Sequence, residues 1–595
     1  MTATLTLSRV VDCQADVCAL WDALTDTDRL NRATGMERVE FTPRDGEGAA
    51  RFVGKTVLGG IPAEYDELPF EFEHLTRYRV RRRMHGGPAS ELTFGIAFLP
   101  LPGEGTRVTV ELGITPRLGL LAPFLRLSAL GSLRRLEEEV RRVDRSLAVR
   151  GRPAPLPRAG AIDERAIADA AARLAVRCDP DLARRLVALV RDGSDVDAGR
   201  IRPFALAAAW GLDRREVLAA ALSAVKVGLL DLRWELVCPS CRVASGSVPT
   251  LAELSTHGAC QLCDLEFELE LDESVEATFS ACAAVREVDA GPYCIGGPAR
   301  TPHVVSQRVL PAGSTTTMSA PCDPGRYRLF VRGGASVALD VEAGLPARAE
   351  VSTETLGGAA LRLGPGAELR VTNAGGELHA KIEQRAWVSQ AATAREVTAL
   401  AAFRRDFSSE VLRPGATLRV SRVALFFSDL TGSTQLYSEI GDAAAFRLVQ
   451  DHFDVVLGEV ERHHGSLVKT IGDAVMAVFS SETDAVAASV DVLGAFARFR
   501  ASSDVRGRVD IKIGVFGGPC FVVTANGALD YFGQTVNIAA RLQAQAGSGE
   551  LVVDEALGAR AEARGLLDGA HVGEPWVPEL KGVGEAVRAV RVRLR

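Results

Sequence analysis

Two aspartates stand where metal-dependent phosphoryl chemistry needs them. Val423 to Phe427 (VALFF) is a short apolar run of the kind found in a buried strand, and it delivers Ser428-Asp429-Leu430-Thr431-Gly432-Ser433-Thr434 at its end. Further on, Lys469-Thr470-Ile471-Gly472-Asp473 precedes AVMAVF, which predicts a hairpin with Asp473 at its turn. Carboxylates on adjacent strand ends can hold two Mg²⁺ ions, hard cations that prefer oxygen and leave positions open for triphosphate oxygens. Downstream, Asn537 and Arg541 stand four apart in a helical pattern and share a face, so both can point at one ligand. Glu579-Leu580-Lys581-Gly582-Val583 sets a lysine in a tight turn beside a terminal strand.

A second constellation is Cys238-Pro239-Ser240-Cys241, eighteen residues (242–259), then Cys260-Gln261-Leu262-Cys263. Each pair lets two thiolates reach one ion from a turn, and two pairs complete a closed tetrahedral S₄ site, which means structural zinc. A redox dithiol is the alternative for an isolated pair. Cys13, Cys18, Cys178, Cys282, Cys294, Cys322 and Cys520 lack such spacing and read as core residues.

In their order along 418–595, the aspartates, Lys469, Leu529-Asp530-Tyr531-Phe532-Gly533-Gln534-Thr535-Val536-Asn537-Ile538-Ala539-Ala540-Arg541 and Lys581 resemble the class III adenylate/guanylate cyclase family. The resemblance implies a ferredoxin-like α/β domain converting ATP to 3′,5′-cyclic AMP and pyrophosphate. It assigns Asp429, Asp473 and the backbone carbonyl of Leu430 to two Mg²⁺ or Mn²⁺ ions per site. Lys469 and Asp530 fall at the base-selecting positions, where Lys can donate to adenine N1 and Asp can accept from its N6 amino group. Asn537 would orient the ribose, Arg541 would neutralise charge on the α-phosphate, and Lys581 would hold the terminal phosphates. Lys469 and Asp473 serve opposite sites in that family, which implies a homodimer. Phe516 departs from the pattern, standing where relatives carry His. No GG[DE]EF-like run is present, which excludes a diguanylate cyclase. The alternative is a catalytically weak or silent cyclase-like sensor or scaffold.

The elements that must position these residues fill a chain of 595 residues, too long for one core. The expected class is multidomain α+β. Residues 1–149 run strand, helix, many strands, long helix, an order that resembles the START-like helix-grip fold. In that family the space between sheet and helix often admits an apolar small molecule; a filled core is the alternative. Residues 150–160 form a Pro-rich linker, 161–237 a helical segment resembling a winged helix, 238–269 a zinc ribbon, 270–387 a small β-sandwich and 388–417 a linker helix. The region 160–387 resembles an uncharacterised region found ahead of bacterial cyclase domains.

Lys and Arg number 69 against 76 Asp and Glu, a net charge of −7, which gives no whole-protein attraction to nucleic acid or anionic lipid and leaves only local patches. The Arg77, Arg79, Arg81, Arg82, Arg83 cluster reads as a solvated strand face, and the helix-turn-helix as structural rather than DNA-binding. The most apolar stretch, Leu118 to Leu133, is interrupted by Pro123 and Arg126 and falls short of the roughly 20 residues that span a bilayer. With no signal peptide read at the N-terminus, a cytoplasmic location is expected.

Overall fold

The computed structural model describes residues 3–594 except 45–48, 59, 154–155, 157–159, 290, 292, 385–390, 434–438, 504–505 and 584–585. Thr434 of the first motif and parts of both expected linkers therefore lie outside the described residues.

At the N-terminus an antiparallel sheet curves around one long helix. Strand Leu5–Cys13 pairs with Thr106–Pro116 in unbroken register from Leu5↔Ile114 to Cys13↔Thr106. Asp16 and Asp26 cap the two short helices that follow, accepting from the amides of Ala19 and Arg29. Helix Ala122–Arg150 buries Leu125, Ala129, Leu133, Leu136, Val140 and Val143 at three- and four-residue spacing, and Gly151 ends it at φ 64°. Trp21, Tyr78, Phe98, Val108 and Val110 join the closing helix in one core. The arginine strand Arg77–Met84 is neutralised in place: Arg79 reaches Glu71 at 2.7 Å, Arg82 reaches Glu67 at 2.8 Å and Arg83 reaches Glu377 at 3.0 Å.

This sheet does not stop at the domain boundary expected from sequence. Edge strand Glu71–Glu73 pairs with Val304–Leu310, aligning Phe72 with Gln307, so the N-terminal sheet continues into the sandwich as one sheet of thirteen strands. Such pairing consumes the backbone groups of an otherwise open edge. The sandwich is completed by Ser314–Ser319, Arg348–Ser352 and Glu368–Asn373. Its strands begin at 304 rather than 270, because Val275–Ala281 pairs with Leu230–Val237 instead.

Helices Glu164–Leu174, Pro180–Asp192 and Arg214–Lys226 are capped by Asp163, Asp179 and Asp213, while Pro203–Trp210 starts on its proline without a side-chain cap, and Gly211 at φ 65° turns between it and Arg214–Lys226. Arg214–Lys226, the element that would read DNA in a helix-turn-helix, is buried through Val217, Leu218, Ala220, Ala221 and Leu222. Its basic N-terminus is committed as well, Arg215 pairing with Asp484 at 2.6 Å.

Residues 388–417 are not one spacer helix. They hold two short helices, Ala394–Thr398 and Ala401–Asp406, broken by extended Leu400. Val397 and Phe403 are buried, and Phe403 meets Trp234 edge-on at 5.9 Å. Through them the helical segment shares one core with Leu425, Phe427, Met476 and Val478 of the last sheet.

That last sheet runs Ser466–Ile471, Ala474–Phe479, Leu418–Thr431, Asp510–Ala525, Glu550–Asp554, Ala589–Leu594, Ala570–Val572, with Ala528–Phe532 paired onto Asp510–Ala525. Helices Asp442–Arg462 and Glu482–Ala501 cover one face over Phe426, Phe479, Ile511 and Ile513. Helix Gln534–Gln545 lies on the other, so close that a Cβ on Gly514 would fall 2.2 Å from the Gln543 amide nitrogen. Among the described residues no helix is long and apolar enough to cross a membrane.

Candidate functional site

Alternation along Leu418–Thr431 decides where Asp429 goes. Ala424 and Phe426 fill the core beneath the two long helices, whereas Leu425 and Phe427 fill the opposite one, and Asp429 follows Phe427 two positions on. Half-buried at the strand end, it faces Lys512 in register, with Lys512 Nζ 2.9 Å from Oδ2. Asp473 occupies the two-residue turn between Ile471 and Ala474, which is closed by Gly472 at φ 64°. Because Ser428 pairs with Val475, the turn brings Asp473 beside the end of the Asp429 strand. Leu430 is buried and pairs with Ile511.

His452, on helix Asp442–Arg462 beside the Phe453 and Phe496 rings, is near enough to both carboxylates to feel their charge. It is fully buried, its Nδ1 donates to the Val449 carbonyl at 3.1 Å, and Nε2 has no hydrogen-bond partner among the described residues. Burial pushes its pKa down to about 4 against the pull of Asp473 and Asp429, so the ring is neutral at physiological pH. Sequence reasoning missed Lys512 and His452. Only strand register and helix packing place them there.

The other pair is joined directly. Lys469 Nζ donates to Asp530 Oδ2 at 2.5 Å across 61 residues of sequence, so Lys469 is committed to Asp530 and not to Asp473 four positions away. Asp530 Oδ1 accepts from the Tyr531 amide at 2.8 Å. The strand bearing Asp530 is braced from upstream: Arg404 donates to the Leu529 carbonyl at 2.9 Å and lies over the Tyr531 ring. Asn537 and Arg541 are both exposed on Gln534–Gln545, one turn apart. Lys581 is exposed in a turn held by Gly582 at φ 81°, anchored by buried Leu580. Phe516 is half-buried and packs against the cluster of Ile538 and Leu542.

The four cysteines converge from two turns. All four sulfurs lie within 4.8 Å of one another, and Cys241 and Cys260 are 3.6 Å apart. A tetrahedral S₄ zinc with bonds of about 2.3 Å has an edge of about 3.8 Å, so the donor set fits that ion. Arg242 and Asp264, each directly after a Cys pair, adopt φ of 63° and 56°, which folds both knuckles. Lys381 of the sandwich, fully buried, puts Nζ 3.6 Å from Cys263 Sγ and 3.1 Å from Glu383, a positive charge suited to an anionic thiolate cluster. Of the remaining cysteines, Cys13, Cys294 and Cys520 are buried and Cys178 and Cys282 half-buried; Cys18 and Cys322 are exposed, against the expectation of core positions.

Residues 417–565 match the family described as the adenylate and guanylate cyclase catalytic domain. Residues 166–293 match a family of unknown function (DUF5939). An uncharacterized Mycobacterium tuberculosis protein, Rv2212, is 36% identical over 144 residues, 24% of this chain and 33% of the relative. A second from the same species, Rv1318c, is 34% identical over 126 residues, 20% and 23% of the two chains. The chain thus spans about a third of the length of the first of these curated relatives. Solved structures of similar fold include the adenylyl cyclase CyaB from P. aeruginosa (22% identity, TM-score 0.25, 30% of this chain and 95% of that one). The guanylyl cyclase Cya2 is another (21%, TM-score 0.25, 29% and 92%). Residues 417–565 are therefore a nucleotide cyclase catalytic domain in a multidomain α+β protein.

Proposed function

We propose that the protein is an adenylate cyclase acting as a cytoplasmic homodimer. The observation that carries this reading is the Lys469–Asp530 pair, a donor and an acceptor set side by side to match the N1 and N6 edge of adenine. Asn537 holds the ribose, Arg541 faces the α-phosphate and Lys581 the β- and γ-phosphates. The 3′-hydroxyl gives its proton to water, its oxygen attacks the α-phosphorus, the bond from that phosphorus to the oxygen bridging to the β-phosphate breaks, and pyrophosphate leaves with the charge that Arg541 and Lys581 balance. Asp429, Asp473 and the Leu430 carbonyl would hold Mg²⁺ or Mn²⁺, two ions per site, which supply Lewis-acid activation of the 3′-hydroxyl and charge neutralisation. The fit rests on Lys512: the carboxylate that would take the metal already holds a cation at 2.9 Å. Incubating the full chain with ATP and Mg²⁺ or Mn²⁺ should yield cyclic AMP. Absence of product with both metals would leave a nucleotide-binding scaffold.

Arg541→Ala should lower turnover about 10²- to 10³-fold with little change in folding, since an exposed side chain is removed whose work is stabilising transition-state charge. Steady-state kinetics on ATP and thermal unfolding of the same preparation check both halves.

The upstream region reads as regulatory, because Arg404 braces the strand of Asp530 and Arg215 ties the helical segment to Asp484 of the catalytic domain. Residues 1–149 are proposed as a START-like domain with an apolar small-molecule ligand, on the strength of the sheet wrapped around Ala122–Arg150. Cys238, Cys241, Cys260 and Cys263 are proposed to bind one structural zinc. Metal analysis should find about one zinc per chain, and Cys260→Ser should lose the metal and on the order of several kcal/mol of stability. Zinc-free protein that unfolds like the native chain would refute the assignment.

A further inference from the structure

The turn Gly119–Leu121 and the start of helix Ala122–Arg150 carry a second apolar stripe that the described residues leave exposed. Opposite the buried stripe, Leu120, Phe124 and Leu127 are 78%, 59% and 71% exposed, spaced four and three apart so that they line one side, with Leu118 exposed just before them. Single exposed apolar side chains are ordinary on protein surfaces, but a stripe of large ones at helical spacing marks an interaction site. Its charge is one-sided. Between Glu111 and Glu137 the chain has no acidic residue and carries Arg117, Arg126, Arg134 and Arg135, in a protein whose net charge is −7. All four arginines are exposed, and Arg126 has no hydrogen-bond or ion-pair partner among the described residues.

We infer that this turn and the first turns of the helix dock on an anionic lipid bilayer surface. Leu120, Phe124 and Leu127 enter the boundary between headgroups and acyl chains, while the surrounding arginines meet lipid phosphates, the pattern of a helix that lies in the interface plane. The run is too short and too interrupted to cross, which suits lying on the surface. A second copy of the chain fits less well, since a two-fold contact through this stripe would bring the arginine rims of both copies together.

The test uses the full chain with vesicles of phosphatidylcholine alone or mixed with phosphatidylglycerol, read by co-sedimentation. Binding to the mixed vesicles should exceed binding to the neutral ones by at least ~10-fold and fall as salt is raised. The triple variant Leu120→Ser/Phe124→Ser/Leu127→Ser should lose at least ~10-fold in binding at unchanged thermal unfolding, because the three side chains contribute little to the core. Arg126→Glu should weaken binding without touching the apolar stripe. Failure of the native chain to bind, or equal binding by the triple variant, overturns the inference. So does a triple variant whose only change is loss of self-association in size-exclusion chromatography, which would assign the stripe to a second copy. Cyclase turnover enters none of these readouts.

Discussion

Asp473→Ala should reduce cyclic nucleotide formation at least ~10³-fold, since metal stabilisation of a phosphoryl transition state supplies several kcal/mol and each 1.4 kcal/mol is tenfold. Folding should survive. The turn depends on Gly472, which has the positive φ, and Asp473 is only half-buried beyond the paired residues Ile471 and Ala474. Asp473→Asn keeps the size of the side chain, removes its charge and turns one acceptor oxygen into an amide donor, so equal losses in both variants trace the effect to the carboxylate. Mixing adds a sharper expectation. If the metal carboxylates of one protomer work with Asn537 and Arg541 of its partner, Asp473→Ala and Arg541→Ala are each silent alone yet complementary. Half of the randomly reassembled dimers are mixed, and each mixed dimer has one intact site of two, so activity should recover to about a quarter of native. No recovery on mixing would mean that each site is built within one chain.

The double variant Lys469→Glu/Asp530→Cys should shift base preference from ATP toward GTP, lowering the ratio of kcat/KM for the two substrates ~10²- to 10⁴-fold. Two hydrogen bonds involving charged groups are exchanged, each worth about 1.5–3 kcal/mol. Lys469→Ala alone is a poorer probe. Asp530 is largely buried, with its side chain 15% exposed, and without the lysine it would be left without its ion-pair partner, a cost in addition to lost recognition. The double change removes that complication by making position 530 uncharged. Unchanged preference between ATP and GTP would remove Lys469 and Asp530 from base selection while leaving the cyclase reading intact.

Much of the site was legible because it is written in local chemistry. An apolar run ending in Asp429, a Gly-Asp turn before a second apolar run and two residues one helical turn apart each describe geometry within a few positions, and the cysteine pairs describe their own knuckles. Less legible were partners. Lys512 faces Asp429 across a strand register, His452 feels the charge of both aspartates from a helix, and Lys381 approaches the thiols from a strand more than a hundred residues on. Residues 388–417 show the same limit from the other side: helical spacing of Val397, Leu400, Arg404 and Phe407 was real as a pattern, but extended Leu400 breaks the helix where Val397 and Phe403 turn into a shared core.

By itself, then, the sequence determined which residue types stand at strand ends, turns and helix faces, hence the cyclase signature of 418–595 and the four-thiol cluster, since backbone periodicity and turn chemistry act over a few residues. Tertiary structure decided what those residues meet. It fused the N-terminal sheet with the sandwich through Glu71–Glu73, absorbed the arginine strand into ion pairs, buried most of helix Arg214–Lys226, and left Leu120, Phe124 and Leu127 exposed. The reason is physical: alternation says which face a side chain occupies, but edge pairing, ion pairing and burial depend on surfaces brought together from distant parts of the chain.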